Sequence, residues 1–220
     1  MPKTNQAAPC VLPQAGAEES QLTEKSQPVL VPTAHGTFLM QAFGFVGGVE
    51  NLALTAADAD GKPLASEQPP LVRLHSECAT GDIFGSYRCD CGPQLHQALA
   101  IMAAGGGTLL YLRGQEGRGI GLVNKLRAYA LQDDGMDTLD ANLALGLPAD
   151  ARSYAQAAAM LAELGMTSIR LMTNNPAKAE ALTALGIEVT ELVPDEIAPR
   201  PENARYLATK RDRMRHHLSF

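Results

Sequence analysis

Two absences in the sequence indicate where the protein works. No stretch reaches the roughly 20 apolar residues that a helix needs to cross a bilayer. The opening residues, MPKTNQAAPCVLPQAGAEESQ, lack the apolar run of a secretory signal. We therefore expect a cytoplasmic protein whose cysteines are reduced.

An excess of positive charge is also missing. The chain has 18 Lys and Arg residues against 24 Asp and Glu residues, which gives a net charge of −6. Nothing in the global charge favours nucleic acid or an anionic membrane, so neither is expected as a partner. A basic site can still form locally, because the field of a cleft depends on the residues that line it.

Cysteine is scarce, yet three of the four cysteines lie within fourteen residues, at Cys78, Cys89 and Cys91. In a reducing compartment this clustering favours a metal or catalytic site over a disulfide. Three thiolates are enough for a tetrahedral zinc ion with one open position, which is the catalytic arrangement. The fourth cysteine, Cys10, is expected to be a free thiol without a role.

Two other interpretations of the cysteine cluster stay open. A structural zinc ion would need a fourth protein ligand, and His75 or His96 could supply it. His75 precedes Cys78 by three residues on a predicted strand, however, and would tend to face away. Alternatively, the cysteines are buried as small hydrophobic residues. The surrounding Ser, Asp, Arg and Gly residues argue against such a core position.

The length of 220 residues suits one domain with a small appendage. Residues 1–28 are rich in Ala, Pro, Gln, Glu and Ser and show no period, which predicts a disordered leader. Residues 29–215 form the predicted domain. Residues 216–220 are expected to be a flexible tail, after a basic stretch that is typical of a solvated helix or a subunit contact.

The hydrophobic pattern predicts an α/β fold. Strands are expected at VLVPTAHGTFLMQAFGF, which is interrupted by a turn at His35-Gly36, and at NLALTAAD, LVRLHSE, TLLYL, SIRLMT and IEVTELV. Helices are expected after Cys91, over residues 121–134, from Ser153 and after Pro176. In the second helix, an apolar stripe is expected to be buried; it comprises Leu122, Val123, Leu126, Tyr129 and Ala130. The order of elements predicts three α/β/α layers around a mixed sheet, with a partly antiparallel N-terminal part and a C-terminal βαβ unit.

Two segments have the composition of anion-binding loops. RGQEGRGIG, residues 113–121, follows a predicted strand, and its backbone N–H groups and guanidinium groups suit phosphate. TNNPAK, residues 173–178, lies between a strand and a helix, where open α/β sheets bind ligands. A flexible surface loop and a plain turn are the alternatives. PADARSY, residues 148–154, is by itself typical of a solvated loop.

Taken together, these segments resemble GTP cyclohydrolase II, the family that opens riboflavin synthesis. The resemblance covers roughly residues 30–215 and is carried by RLHSECATGDIFGSYRCDCGPQLHQAL, GQEGRGIGLVNKLRAYALQDDGMDTLDAN, LGLPADARSY and RLMTNNPAK. The long N-terminal domain of the bifunctional members, which carry dihydroxybutanone phosphate synthase, has no counterpart in the sequence. The resemblance therefore implies the form with cyclohydrolase activity alone, and it implies a homodimer.

The resemblance implies a role for each of three groups of residues. Cys78, Cys89 and Cys91 would hold one catalytic Zn²⁺. Arg152 would be the nucleophile at the α-phosphorus, or would stabilise phosphoryl transfer electrostatically, with Asp150 as proton acceptor and Tyr129 near the reacting ring. The residues that would bind GTP are Arg73, Leu74, His75, Ser76, Glu77, Gln94, Glu116, Gly117, Arg118, Thr138, Thr173 and Lys178.

The implied reaction converts GTP to 2,5-diamino-6-ribosylamino-4(3H)-pyrimidinone 5′-phosphate, formate and pyrophosphate. Zn²⁺ would make water nucleophilic at neutral pH, and Mg²⁺ would accompany the triphosphate. Two other hypotheses remain. A family variant would stop at the formylamino pyrimidine, or act in pyrimidine catabolism or secondary metabolism, although Tyr129 favours complete deformylation. A structural zinc module would bind a partner, although no second C-x-C or C-x2-C pair supports it.

Overall fold

A computed structural model describes residues 17–65 and 69–220. Eight strands form one mixed sheet. The strands are β1 (Leu22–Lys25), β2 (Val29–Thr33), β3 (Gly36–Phe45), β4 (Glu50–Ala56), β5 (Leu71–Ser76), β6 (Thr108–Leu112), β7 (Ser168–Met172) and β8 (Glu188–Val193).

Seven α-helical segments in the described residues flank this sheet or cover its carboxyl edge. They are α1 (Cys91–Gly105), the single turn α2 (Glu116–Gly119), α3 (Leu122–Asp133), α4 (Thr138–Ala144), α5 (Ala155–Glu163), α6 (Pro176–Ala184) and α7 (Ala204–Arg213). A 3₁₀ turn (Ala17–Ser20) precedes β1, and a π-helical turn (Ala79–Ile83) follows β5. No helix among the described residues is long and apolar enough to span a membrane.

The N-terminal half of the sheet is antiparallel. β1 and β2 pair with the two ends of the ten-residue strand β3, and β3 pairs with β4 along its other edge. β4 then joins the C-terminal half through an antiparallel pairing with β6. The remaining strands β6, β5, β7 and β8 run parallel, in that spatial order. The predicted mixed sheet and C-terminal βαβ unit are confirmed.

The sheet separates two hydrophobic cores, as a three-layer α/β/α fold requires. α1 packs on one face, where Met102 meets Phe38 and Leu109. α5 and α6 contribute to the core on the other face, which includes Leu110 and Leu161. Leu109 and Leu110 are adjacent in β6 and point to opposite faces because the side-chain period of a strand is two. The predicted layer architecture is therefore correct.

The predicted N-terminal boundary needs a correction. Residues 22–25, assigned to a disordered leader, form β1 and pair with the end of β3. Leu22 packs against the core that holds Phe45, while the rest of the strand is exposed. One apolar residue in a polar segment was too weak a pattern to predict a strand. Residues 1–16 of the predicted leader, with Cys10, lie outside the described residues.

Candidate active site

A cavity opens at the carboxyl ends of β5, β6 and β7, where parallel sheets place their ligand sites. It encloses about 1010 Å³, counted out to its open mouth. Every residue that the resemblance implies lies on its wall, except Leu74 and Asp150. The wall therefore includes Arg73, His75, Ser76, Glu77, Cys78, Cys89, Cys91, Gln94, Glu116, Gly117, Arg118, Tyr129, Thr138, Arg152, Thr173 and Lys178.

Leu74 contributes its backbone rather than its side chain. The side chain is fully buried in the hydrophobic core, because alternate residues of β5 face opposite sides of the sheet. Its carbonyl oxygen accepts a hydrogen bond of 2.8 Å from Lys178 Nζ. The Leu74 side chain therefore does not line the cavity, and the substrate contact implied by the resemblance stays a prediction for its backbone.

The three thiols form one cluster. Their sulfur atoms lie within 4.8 Å of one another, and Cys78 Sγ is 3.7 Å from Cys89 Sγ. Tetrahedral zinc with Zn–S distances of about 2.3 Å places its sulfur ligands about 3.8 Å apart. All three cysteines are free thiols, and hydrogen bonds from Cys89 and Cys91 lower the pKa of Cys78. The donor set and its spacing therefore fit a zinc ion.

Two glycines make room for this cluster. A Cβ atom at Gly81, in the π-helical turn, would lie 2.9 Å from Cys89 Sγ and 3.2 Å from Cys78 Sγ. A Cβ at Gly92, in the first turn of α1, would lie 2.4 Å from the Gly81 carbonyl oxygen. The turn and the helix can approach closely enough to bring the thiols together only because both positions lack a side chain.

The two histidines that could have completed a structural zinc site are elsewhere. His75 Nε2 lies 3.1 Å from Asp82, and burial lowers the pKa of His75. His96 instead meets His35 at the surface, with 2.9 Å between their ring nitrogens. Among the described residues, the metal-binding group contains the three cysteines alone. This geometry supports the catalytic arrangement with an open coordination position.

Helix α3 is oriented opposite to the prediction. Leu122, Val123 and Leu126, from the predicted buried stripe, are 43%, 66% and 51% exposed. The buried positions are instead polar or small and include Lys125. The prediction assumed that the apolar face would pack on the core. In the structure the polar face contacts the cavity, where its groups have partners.

Tyr129 lies on the cavity side of α3, one turn after Lys125. It is half-buried, and the Arg88 guanidinium stacks 4.4 Å from its ring centroid. Burial raises the pKa of the Tyr129 phenol, so the hydroxyl keeps its proton at neutral pH. The side chain is therefore a protonated phenol on the cavity wall and not a core tyrosine.

The loop after β6 brings a guanidinium into the cavity through an unusual backbone. Gly117 and Arg118 both have left-handed backbones, with φ of 60° and 66°. Such a φ is strained for arginine. Both terminal nitrogens of Arg118 are buried, with no hydrogen-bond partner among the described residues. An anion in the cavity would give them one.

Arg152 and Asp150 form a bidentate ion pair beside the cavity. Arg152 Nε and Nη2 donate to the two oxygens of Asp150 at 2.9 and 2.5 Å, and Nη1 donates to Ser76 Oγ at 3.3 Å. Burial opposes ionisation of Asp150, but the bonds from Arg152 outweigh it and hold the pKa of Asp150 below its ordinary value. They likewise raise the pKa of Arg152 despite its burial. This segment is therefore not the solvated loop that its composition suggested.

Lys178 is a buried cation without a carboxylate partner. Its ammonium donates to the Leu74 carbonyl, and no ion pair with it occurs among the described residues. Burial, with the nearby Arg73 and Arg152 guanidinium groups, holds the pKa of Lys178 well below its ordinary value. Thr173 lies beside it on the cavity wall. The segment from the end of β7 to the first turn of α6 therefore belongs to the site.

We expect Lys178→Met to stabilise the fold. The folded protein lowers the pKa of Lys178, so wild-type stability decreases as the pH falls below the unfolded value of about 10.4. Methionine removes this penalty and should raise Tm at pH 7 by about 2–4 °C, as expected for roughly 1 kcal/mol in a chain of this size. Thermal unfolding at pH 7 and pH 10 measures this increase in Tm, which should be smaller at pH 10 because less of the unfolded lysine is protonated there. Exposed Lys62→Met is the control, and a lower Tm for Lys178→Met at pH 7 would contradict the expectation.

The predicted flexible tail is folded against the cavity. His216 lies on the cavity wall, and His217 N donates to the Asn174 carbonyl at 2.8 Å. Ser219 N donates to Glu196 at 3.1 Å. Burial and the nearby Lys210 ammonium lower the pKa of His216 to about 3, so this ring is neutral at pH 7. These contacts contradict the predicted flexible tail at residues 216–220.

Comparison with known proteins assigns the chain to a family. The model of the family "GTP cyclohydrolase II" matches residues 24–194. The chain belongs to the GTP cyclohydrolase II family. The resemblance in the sequence is thereby confirmed.

Curated relatives within this group are considerably longer than the chain. It is 55% identical over 192 residues to "Riboflavin biosynthesis protein RibBA" of Mycolicibacterium gilvum, which covers 86% of the chain and 45% of that protein. The protein of the same name from Nocardia farcinica is 54% identical over 191 residues, with 86% and 45% covered. That of Mycobacterium tuberculosis is 52% identical over 200 residues, with 89% and 46% covered. The chain thus spans somewhat less than half the length of these relatives.

Several cavity residues of this GTP cyclohydrolase II family member were not anticipated. They come from α3, α4, the β7–α6 turn, α7 and the tail: Lys125, Asn142, Asn174, Tyr206, Lys210 and His216. Lys210 is nearly buried and pairs with Asp90 at 2.7 Å. Signals existed for Lys125, which lies one helical turn before Tyr129, and for Asn174, which lies in the TNNPAK segment. The others depend on long-range packing.

Proposed function

We propose that the chain hydrolyses GTP to 2,5-diamino-6-ribosylamino-4(3H)-pyrimidinone 5′-phosphate, formate and pyrophosphate, the first step of riboflavin biosynthesis. The observation that supports this proposal most directly is the composition of one cavity. It combines a cluster of three thiols with two buried basic side chains, Arg118 and Lys178, that lack carboxylate partners among the described residues. A cavity that holds both a metal site and a polyanion site suits a nucleotide whose base and triphosphate both react. Reduced thiols suit the cytoplasm.

The metal half of the proposal assigns Cys78, Cys89 and Cys91 as ligands of one Zn²⁺. When bound, this ion supplies the Lewis-acid activation of water that opening an imidazole ring requires at neutral pH. The chain's own contribution is to orient the ring. Tyr129, a phenol on the cavity wall whose pKa is raised by burial, is proposed to hold the formyl group and to donate a proton to its leaving nitrogen.

The phosphate half assigns Arg118, Arg152 and Lys178 to the triphosphate, which arrives with Mg²⁺. All three nitrogens of Arg152 donate hydrogen bonds, and the raised pKa keeps its guanidinium protonated. These contacts favour electrostatic stabilisation of phosphoryl transfer over nucleophilic attack by Arg152. Asp150 orients the guanidinium and is the proposed proton acceptor. The remaining polar wall residues are proposed as substrate contacts: Arg73, His75, Ser76, Glu77, Gln94, Gly117, Thr138 and Thr173.

Glu116 is proposed to read the guanine base. Its oxygens accept from Ala79 N at 2.6 Å and from Lys125 Nζ at 2.7 Å. A carboxylate has about four lone-pair positions, and Ala79 N and Lys125 Nζ occupy two of them. Glu116 can therefore accept from N1–H and N2–H₂ of guanine once the bond from Gly117 N is released. The alternative is that Glu116 only orders the loop, since Gly117 N also donates to it at 3.1 Å.

The direct test is incubation with GTP and Mg²⁺ after zinc loading, followed by mass analysis of the products over time. We expect the diamino pyrimidine, formate and pyrophosphate in equal amounts, and little turnover of ATP in a parallel incubation. Accumulation of the formylamino compound alone would favour the variant enzyme. A zinc-loaded protein that leaves GTP intact would refute the proposal and favour a structural zinc module.

We also propose a homodimer. The exposed apolar residues of α3 lie next to one another on the helix: Leu122, Val123 and Leu126. A contiguous exposed apolar face of this kind is typical of a protein interface. Sedimentation of the wild type and of Leu126→Glu would show whether this face mediates association.

A further inference from the structure

Lys125 makes three contacts that the proposed chemistry does not use. Its ammonium donates to Cys78 Sγ at 3.0 Å, to Thr80 Oγ1 at 2.8 Å and to Glu116 Oε1 at 2.7 Å. The side chains of Lys125 and Glu116 are only 10% and 7% exposed. An ammonium has three hydrogens, so these contacts use its full donor capacity. Such a buried and fully bonded lysine holds its partners in one arrangement.

The contacts close a ring between the metal cluster and the base-side wall. Lys125 bonds the sulfur of Cys78 and one oxygen of Glu116. The other oxygen of Glu116 accepts from the backbone N–H of Ala79, the residue directly after Cys78. Cys78 is therefore held through its side chain by the ammonium and through the following peptide by the carboxylate. Displacement of Cys78 or Glu116 would disturb the other.

Charge explains why a cation occupies this position. Three thiolates carry three negative charges and Zn²⁺ carries two positive ones, so the cluster has a net negative charge beside the Glu116 carboxylate. Among the described residues, Lys125 is the cation that hydrogen-bonds a ligand sulfur. Lys210 is engaged by Asp90, and Arg88 by Asp133. Without Lys125, Glu116 would be a buried carboxylate next to like charge.

We propose that Lys125 is a positioning residue that couples metal binding to guanine-nucleotide binding. With the metal bound, Cys78 is fixed, and through Lys125 the Glu116 carboxylate is fixed for the base. By reciprocity, a bound nucleotide tightens the metal by the same factor. This inference rests on the proposed function, because it takes Glu116 as a base contact and the thiols as metal ligands.

The experiment measures this coupling directly in the purified protein. The affinity of a GTP analogue with a non-hydrolysable α,β-methylene bridge is determined with and without Zn²⁺. Metal affinity is then determined with and without the analogue by chelator competition. We expect a coupling factor of about 5-fold or more in the wild type, equal in both directions. In Lys125→Met the factor should fall to near one, and metal affinity should drop about 10–100-fold.

Matched variants separate positioning from folding. Lys125→Arg keeps the cation and should retain part of the coupling, whereas the exposed Lys62→Met should leave it unchanged. Lys125→Met with Glu116→Gln removes both buried charges, so it should fold even if the single variant does not, and it should still lack coupling. The thiolate-to-metal charge-transfer band of the Co²⁺-loaded proteins reports whether the sulfur donors are altered, independently of turnover.

Two results would overturn the inference. One is a wild type that binds analogue and metal independently, and the other is a Lys125→Met protein, or the double variant, whose coupling factor equals that of the wild type. Failure of the proposed function would give a result that can be distinguished from failure of the coupling inference. In that case wild-type protein with bound metal would neither bind the analogue nor release formate from GTP.

Discussion

Serine at position 78, 89 or 91 is expected to abolish both metal binding and ring opening. The thiolate is the ligand that binds zinc, and a serine hydroxyl does not ionise at neutral pH. The two remaining thiolates are one ligand short of the three protein ligands that a catalytic zinc site requires. Metal content should fall from about one ion per chain to a small fraction. Formate release should fall with it, because the activated water is lost.

Metal analysis by mass spectrometry, with formate quantified in parallel, checks this expectation. Cys10→Ser is the matched control and should keep both metal and activity. Loss of zinc in Cys10→Ser would show that the assignment of ligands is wrong. Complete ring opening by metal-free wild-type protein would show that the proposed role of zinc in ring opening is wrong.

Arg152→Ala is expected to lose pyrophosphate release. The guanidinium is preorganised by its bidentate contact with Asp150 and by its bond to Ser76. Removing one such charge-stabilising donor reduces kcat by roughly 10²–10³-fold. The variant also leaves the Asp150 carboxylate beside the phosphates without its partner, which adds repulsion.

The two half-reactions should be separable, because the thiol cluster and the Arg152 guanidinium are different groups on the cavity wall. Metal-free Cys78→Ser should still cleave GTP to GMP and pyrophosphate in the presence of Mg²⁺. Arg113→Ala serves as the control, since Arg113 is exposed and its ion pair within the described part of the chain is with Glu50, at 3.6 Å. Wild-type pyrophosphate release by Arg152→Ala would remove that residue from the mechanism.

The strand pattern of the sequence was sufficient to predict the strands of the sheet other than β1. LVRLHSE and TLLYL are short apolar runs between turn residues, and both are central parallel strands in the structure. The cysteine spacing predicted a metal cluster, because thiols that lie close along the chain can converge without help from distant segments. Local patterns such as these need little knowledge of tertiary packing.

Helix α3 and the tail could not be predicted in this way. The rule that the apolar face of a helix is buried fails for α3, because its polar face has partners in Cys78 and Glu116. His216 reaches the cavity through a chain reversal after α7 that no local pattern indicates. Lys210 has a buried partner, Asp90, that lies 120 positions earlier in the chain. Pairings over such separations depend on the complete fold.

The strand order also has a consequence for protein synthesis. β2, β3 and β4 pair with neighbours in sequence, so this part of the sheet can form as soon as it leaves the ribosome. β5 lies between β6 and β7 and must wait for residues up to 172. The cysteines at 78–91 therefore emerge before the walls of their cavity exist, exposed to oxidants and to stray metal ions. Loading of the correct ion in the cell is consequently expected to follow completion of the parallel strands.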